Sequence, residues 1–244
     1  MALALGEFER KAQEATMAFW GHSEQVRSKQ VKAGKADRWE GARVSESERM
    51  EGFAQLAVAI IKQNGPKSVE VYRKGLEAKL PGYFRPAKRW DILVRNRGRL
   101  VAAIDFKAQT GPSFKNKFMK ASEEAVGTAH DFLRAYREGA FGDHAKPYLA
   151  CFLMVEDTPG SRLPLCDESP QFPVASGIQG SCYLHRYKLL GKKLMQERLY
   201  DAATIISSSR DAMATGRYED HSEITSLKSF VVSLAAYAAA EAAR

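Results

Sequence analysis

The run from Trp90 to Lys107 limits the possible folds more than any other stretch of the chain. Two apolar segments, Trp90 to Val94 and Leu100 to Lys107, flank the turn-forming Asn96-Arg97-Gly98. That pattern predicts a β-hairpin. Side chains alternate along a strand, so Val101, Ala103, Asp105 and Lys107 are expected on one face and Leu100, Ala102, Ile104 and Phe106 on the other. A turn at or beside residues 96–98 sets Asp91 opposite residue 103, 104 or 105, and cross-strand neighbours lie about 5 Å apart. The carboxylates of Asp91 and Asp105 can therefore converge.

Two carboxylates at one strand end repel each other and lose hydration unless a cation or a proton lies between them. A hard divalent ion is the natural partner. Mg²⁺ takes one or two carboxylates together with waters and a substrate phosphate oxygen, and the Phe106 carbonyl is a further candidate ligand. Lys107, two positions beyond Asp105, would then stand beside the metal and a scissile phosphate, where it can orient or help deprotonate water and offset developing charge. The competing reading is a surface ion pair at a sheet edge, an arrangement of little energetic consequence. Asp-x-Lys alone favours the surface pair; the apolar strand, Asp91, the capped helix with Glu51 and the following basic loop weaken that reading without overturning it.

Composition narrows the class. The 244 residues are 45% apolar and 27% charged, which excludes collagen-like, fibrous and disordered chains. At roughly 150 residues per domain the length suits one extended core, and a single domain is expected over 1–244: an N-terminal helix and basic segment to residue 44, a catalytic core over 45–156, then a loop and C-terminal helices. Lys and Arg number 37 against 29 Asp and Glu, a net charge of +8 that draws polyanions such as nucleic acid. Three cysteines without a CxxC spacing argue against a disulfide framework and fit the cytoplasm, and Cys182 with His185 has no second half to complete a zinc site. The opening residues are too short for a signal peptide, and the Ala-rich stretch from Phe230 to Ala240 is too short to span a membrane.

Helical periodicity appears over residues 3–20 and again from Met50 to Gly65 behind the capping box Ser45-Glu46-Ser47-Glu48. Residues 21–44 lose the periodicity and carry six Lys and Arg between Arg27 and Arg43, which predicts a mobile basic segment. Strands are expected at Ser68 to Tyr72 and, covered on both faces, at Tyr148 to Val155. Helices are expected near Phe118 to Glu138, Tyr183 to Tyr200 and Ser222 to Ala240, the last as core or dimer interface, with a long loop over 157–180. The sum is an α/β (α+β) fold with a central mixed β-sheet flanked by helices. His130 reads as a hydrogen-bonded structural histidine rather than a base.

A helix carrying an acid, an Asp at a strand start, Asp-x-Lys at the next strand end and a following helix resemble the PD-(D/E)xK nuclease core. More narrowly, Leu80-Pro81-Gly82-Tyr83-Phe84-Arg85-Pro86-Ala87-Lys88-Arg89-Trp90-Asp91, Gly111-Pro112-Ser113-Phe114 and Glu123-Glu124-Ala125-Val126-Gly127-Thr128-Ala129-His130-Asp131 are similar to the XhoI-type restriction endonucleases. The resemblance implies a homodimeric type II enzyme that uses Mg²⁺ to cut double-stranded DNA at a short palindrome, CTCGAG in the best-known members. It implies Asp91 and Asp105 as metal ligands, Lys107 as catalytic lysine and Glu51 as an accessory acid from the first core helix. A cognate DNA methyltransferase is implied as protector of host DNA, without a stable complex, and no membrane partner. Trp90 stands where the superfamily motif has Pro, Asp105 stands for the more usual Glu, and Lys115 to Lys120 is richer in lysine than the family pattern.

Tyr83, Arg85, Lys88, Lys115, Asn116 and Lys117 flank the metal-site strands and are the expected DNA contacts. Lys supplies mainly phosphate affinity, whereas Arg85 and Asn116 can read base edges. The alternatives left open are a sequence-specific DNA-binding protein whose acidic pair is structural, and a repair-type nuclease of the same fold.

Overall fold

The structure, a computed structural model, describes residues 4–5, 7–32, 46–111 and 113–244. In chain order, helices α1 (Phe8–Lys32), α2 (Glu46–Arg49) and α3 (Glu51–Asn64) precede strand β1 (Val69–Tyr72), a small ribbon of β2 (Lys79–Leu80) and β3 (Lys88–Arg89), and the hairpin β4 (Ile92–Asn96) and β5 (Arg99–Gln109). Then come α4 (Phe114–Arg137), β6 (Tyr148–Glu156), α5 (Pro159–Arg162), α6 (Tyr183–Gln196), β7 (Ala202–Ser208), α7 (Ala212–Thr215), β8 (Glu219–Asp220) and α8 (Leu227–Ala242).

The hairpin forms because Arg97 and Gly98 both take positive φ, 50° and 80°, between the paired Asn96 and Arg99. Such a two-residue turn matches the right-handed twist of the strands it joins. Val94 pairs with Ala102 while Arg95 pairs with Leu100, so Val101 is an extra residue on β5. This bulge corrects the expected strict alternation: Val101 turns to the face of Ala102, Ile104 and Phe106, and Leu100 joins Ala103 on the other. Beyond Ala102 the alternation holds, and Asp105 and Lys107 share a face.

Six strands lie in the order β1-β4-β5-β6-β7-β8. The joins of β1 to β4, β4 to β5 and β7 to β8 are antiparallel, and β5, β6 and β7 run parallel. Every residue of β6 is buried, as a central strand covered on both faces requires. Helices α1, α3 and α8 cover one face, where Phe152 meets Phe53 at 4.9 Å, Phe106 at 5.5 Å and Phe230 at 5.8 Å between ring centroids. Helices α4 and α6 cover the other face, with Ala125, Ala129, Phe132, Leu184 and Tyr187 packed on Leu93, Ala103 and Leu149.

Some expectations are corrected. Helix α1 continues to Lys32; the polar residues beyond Gly21 lack an apolar stripe, yet no proline interrupts them. Residues 33–44, and Ser45 of the capping box, lie outside the described residues, as does Pro112. Helix α4 starts at Phe114, because Phe114 and Phe118 pack on Tyr183 from α6 at 5.9 and 6.3 Å, so Lys115, Asn116 and Lys117 form a first helical turn instead of a loop. Strand β7 is buried throughout, and its sequence has no period-2 alternation to announce it. His130, expected as a hydrogen-bonded structural residue, is exposed on α4.

Helix α8 locks the turn end of the hairpin. Its buried Glu241 accepts hydrogen bonds from Asn96 Nδ2 at 3.1 Å and from Arg99, and Arg244 approaches at 3.2 Å. Replacing Glu241 by Ala leaves Asn96 and Arg99 without that acceptor and should cost about 2 kcal/mol. In thermal denaturation the midpoint should fall by several degrees; an unchanged midpoint would show that the lock adds nothing.

Candidate active site

Ile92 pairs with Ile104, so Asp91, one residue earlier, lies across from Asp105. Strand β4 starts only at Ile92, and the Asp91 carboxylate takes the place of a ladder carbonyl: its Oδ2 accepts the Phe106 N–H at 2.8 Å. Asp105 is 5% exposed and sits between two ammonium groups, Lys88 Nζ at 3.1 Å from Oδ1 and Lys107 Nζ at 3.3 Å from Oδ2. Lys107 also donates to Glu124 Oε2 of α4 at 2.9 Å. A pair this buried is no surface ion pair. Burying two charges costs several kcal/mol per ion, so the arrangement is costly unless it serves something besides folding.

The electrostatics separate the two aspartates. Burial and the charge of Asp105 push the Asp91 carboxyl up to about 6, against the Phe106 N–H and Lys88. Burial also acts to raise Asp105, but the Lys107 and Lys88 ammoniums outweigh it and hold that carboxyl below its usual range. Asp105 Oδ2 is buried without an aligned hydrogen bond among the described residues. A carboxylate oxygen met only by the Lys107 ammonium at 3.3 Å, beside a second carboxylate, is a donor set that fits a hard divalent cation. Among the described residues no group of three or more His, Cys, Asp or Glu gathers as a metal cluster, so the two aspartates would have to be completed by backbone oxygen, water and substrate.

The other expected residues divide. Glu51 is drawn away from the aspartates: it forms a two-pronged pair with Arg73, both contacts 2.8 Å, and accepts from Gln55. The reason is that α3 packs on the opposite face of the sheet from Asp105. Lys88, expected on DNA, is instead within the acidic pair, its ammonium 4.9 Å from the Trp90 ring centroid. Arg85, expected to read bases, is engaged by Asp131 and Thr128. Lys117 folds back on the Thr110 and Gly111 carbonyls, while Lys115 and Asn116 are exposed. Tyr83 is half-exposed. Glu124 was not singled out as a site residue, although it lies within the segment Glu123 to Asp131; nothing in linear spacing marks it, because the contact with Lys107 is made across the sheet-to-helix interface.

The family profile described as "Restriction endonuclease XhoI" matches residues 29–220. The chain belongs to this family. It is 49% identical over 172 residues to the type II restriction enzyme AbrI of Azospirillum brasilense, covering 70% of this chain and 77% of that one. It is 40% identical over 197 residues to the type II restriction enzyme XhoI of Xanthomonas vasicola, with 80% and 78% covered. BstVI of Geobacillus stearothermophilus, also a type II restriction enzyme, is 33% identical over 205 residues, with 82% and 91% covered. No solved structure matches the chain. As a member of the XhoI family the protein is a site-specific deoxyribonuclease, and the mixed sheet flanked by helices is the nuclease core that the resemblance led one to expect. Type II restriction enzymes generally use divalent metal ions. Among the described residues no helix is long and apolar enough to cross a membrane.

The raised Asp91 carboxyl carries a stability consequence. Its folded-state value lies above the ordinary 3.8, so ionising it costs stability that is intact below about pH 4 and lost as pH rises through about 6. Asp91→Asn keeps an acceptor for the Phe106 N–H and removes the like charge. In metal-free buffer the variant should melt several degrees above wild type at pH 8, with the gap closing near pH 4. No gain at pH 8 would mean that the two carboxylates do not strain the fold.

Proposed function

We propose that the XhoI-family enzyme hydrolyses one phosphodiester in each strand of a short palindrome, CTCGAG or a close relative, with Mg²⁺ held by Asp91, Asp105 and the Phe106 carbonyl. The observation that carries this reading is the buried Asp105 flanked by Asp91 and two lysines, its second oxygen met by Lys107 at 3.3 Å. Mg²⁺ in that position supplies positive charge against the phosphate oxygens and makes a neighbouring water easier to deprotonate.

The chain's own groups do the rest. Lys107, fixed between Asp105 and Glu124, presents an ammonium whose charge can orient the attacking water or offset negative charge as it builds on a phosphate oxygen. Lys88 adds a second positive charge at Asp105 and holds that aspartate ionised. Glu124, with its carboxyl kept below its usual range because Lys107 outweighs the effect of burial, takes the accessory acid's part expected of Glu51, whose carboxylate anchors Arg73. The exposed Lys115 and Asn116 offer phosphate and base-edge contacts at the start of α4.

A palindromic target calls for two such sites related by a dyad, hence a homodimer. The whole chain acts as one catalytic domain, in the cytoplasm, where a cognate methyltransferase protects host DNA without staying bound. Three free cysteines suit that reducing compartment.

The test is digestion of phage or plasmid DNA with Mg²⁺ and with EDTA, followed by sequencing of the fragment ends. Discrete fragments with Mg²⁺ alone are expected; retarded but uncut DNA would sink the nuclease reading, and ragged or junction-dependent products the restriction reading. Asp105→Asn should lower the cleavage rate by at least about a hundredfold while site binding persists. A variant cutting at the wild-type rate would remove Asp105 from the chemistry.

A further inference from the structure

The segment joining β2 to β3 is built around one buried acid that the reaction does not use. Asp131 on α4 accepts the backbone N–H groups of Tyr83 at 2.9 Å and Phe84 at 2.7 Å on Oδ1, and Arg85 Nε at 2.7 Å on Oδ2. Burial acts to raise its carboxyl, but Arg85 and the two N–H groups outweigh it and keep it below its usual range. Gly82 is pressed against the same acid, where a Cβ would lie 2.3 Å from Asp131 Oδ2, so no larger residue fits without displacing the clamp. The result is a stiff tip between Pro81 and Pro86.

What the clamp presents is apolar. Phe84 is 75% exposed and Tyr83 48% exposed, their rings edge to face at 4.8 Å. A fold that hides most of its large aromatics gains nothing from holding Phe84 in water at the end of a fixed turn. The surroundings are basic: Lys79 and Arg89 are exposed on the ribbon beneath, and Arg134, which pairs with Glu138, lies 5.0 Å from the Tyr83 ring centroid. Of the acids beside the tip, Asp131 is neutralised by Arg85 and Glu138 by Arg134.

Position ties the tip to the active site. The ribbon strand β3 carries Lys88, which touches Asp105, and runs directly into Trp90 and Asp91. Along α4, Asp131 lies seven residues beyond Glu124, which touches Lys107, a rise of about 10 Å. A duplex whose phosphate reached Lys107 would have its bases within range of the tip.

We infer that Phe84, held out by the Asp131 clamp, is a wedge that stacks on a base of the bound DNA, with Tyr83 as its support. This rests on the nuclease reading only in taking duplex DNA as the occupant. Aromatic rings are used in this way both to stack single bases and to part base steps in a duplex, and a tip surrounded by cations suits a polyanion better than an apolar protein surface.

Phe84→Ala should leave the melting temperature unchanged, since the ring is mostly in water, and should lower kcat/KM on a duplex bearing the cut site by about ten- to a hundredfold, with Phe84→Trp restoring most of it. The tryptophan of Phe84→Trp should also lose emission on mixing with that duplex, read against the same titration of wild type, which has three tryptophans of its own. Asp131→Asn should reduce the emission loss by loosening the tip. Phe84→Ala cutting within twofold of wild type, or an unchanged Phe84→Trp emission, would overturn the inference, as would sedimentation showing that Phe84→Ala breaks up an assembly formed without DNA. Failure of the nuclease reading looks different: wild type gives no discrete fragments, while the emission of Phe84→Trp with plasmid DNA still decides whether the ring stacks.

Discussion

Asp105 is a charged group kept almost wholly out of water at the end of a strand, and the architecture around it follows from making that tolerable. A lone buried carboxylate would take up a proton. Two ammoniums, one from the ribbon and one two residues along the same strand, keep it ionised. Each lysine needs a scaffold: Lys107 is held from the other side by Glu124, and Lys88 packs over Trp90. Asp91 is the member left out of balance, carrying the burial cost with only a backbone N–H and the more distant influence of Lys88 in its favour. An imbalance of this kind is what a cation-binding site requires, because a fully satisfied set of charges would have no affinity left for the ion.

The hairpin and its acids could be read directly from the sequence because their cues are local. Arg97-Gly98 fixes the turn, apolar residues fix the strands, and a period of two fixes which side chains meet. Even there, one bulged residue escapes notice: Val101 reverses the faces of the first part of β5, and only the alternation after Ala102 keeps Asp105 and Lys107 together. The placement of Asp105 thus survived because the irregularity lies on the turn side of the strand. A bulge at Phe106 would have parted Asp105 from Lys107 and sent them to opposite faces.

Contacts made across layers left no such cue. Glu51 has the right residue type on the first core helix, yet that helix covers the wrong face and its carboxylate meets Arg73. Glu124 has no periodic or motif signal of its own, and it reaches Lys107 because α4 crosses the sheet at that height. The same holds for the contact of Arg85 with Asp131, 46 residues away, which no linear cue announces. Buried β7 was invisible for a related reason, since a strand covered on both faces shows no alternation.

The family segments gain a physical meaning from these contacts. Leu80 to Asp91 and Glu123 to Asp131 are far apart in the chain, but they form two sides of one joint: Asp131 grips the backbone of Tyr83 and Phe84, Gly82 leaves it room, and Glu124 grips Lys107. Helix α4 therefore carries the support for both the Lys107 end of β5 and the aromatic tip, and it does so from one element. A shift of α4 would move both contacts together, so the spacing between the Lys107 end of β5 and the tip follows the rise along a single helix. In the proposed reading, that coupling keeps the cut at a fixed place relative to the base the tip touches, through the joint between α4 and the ribbon.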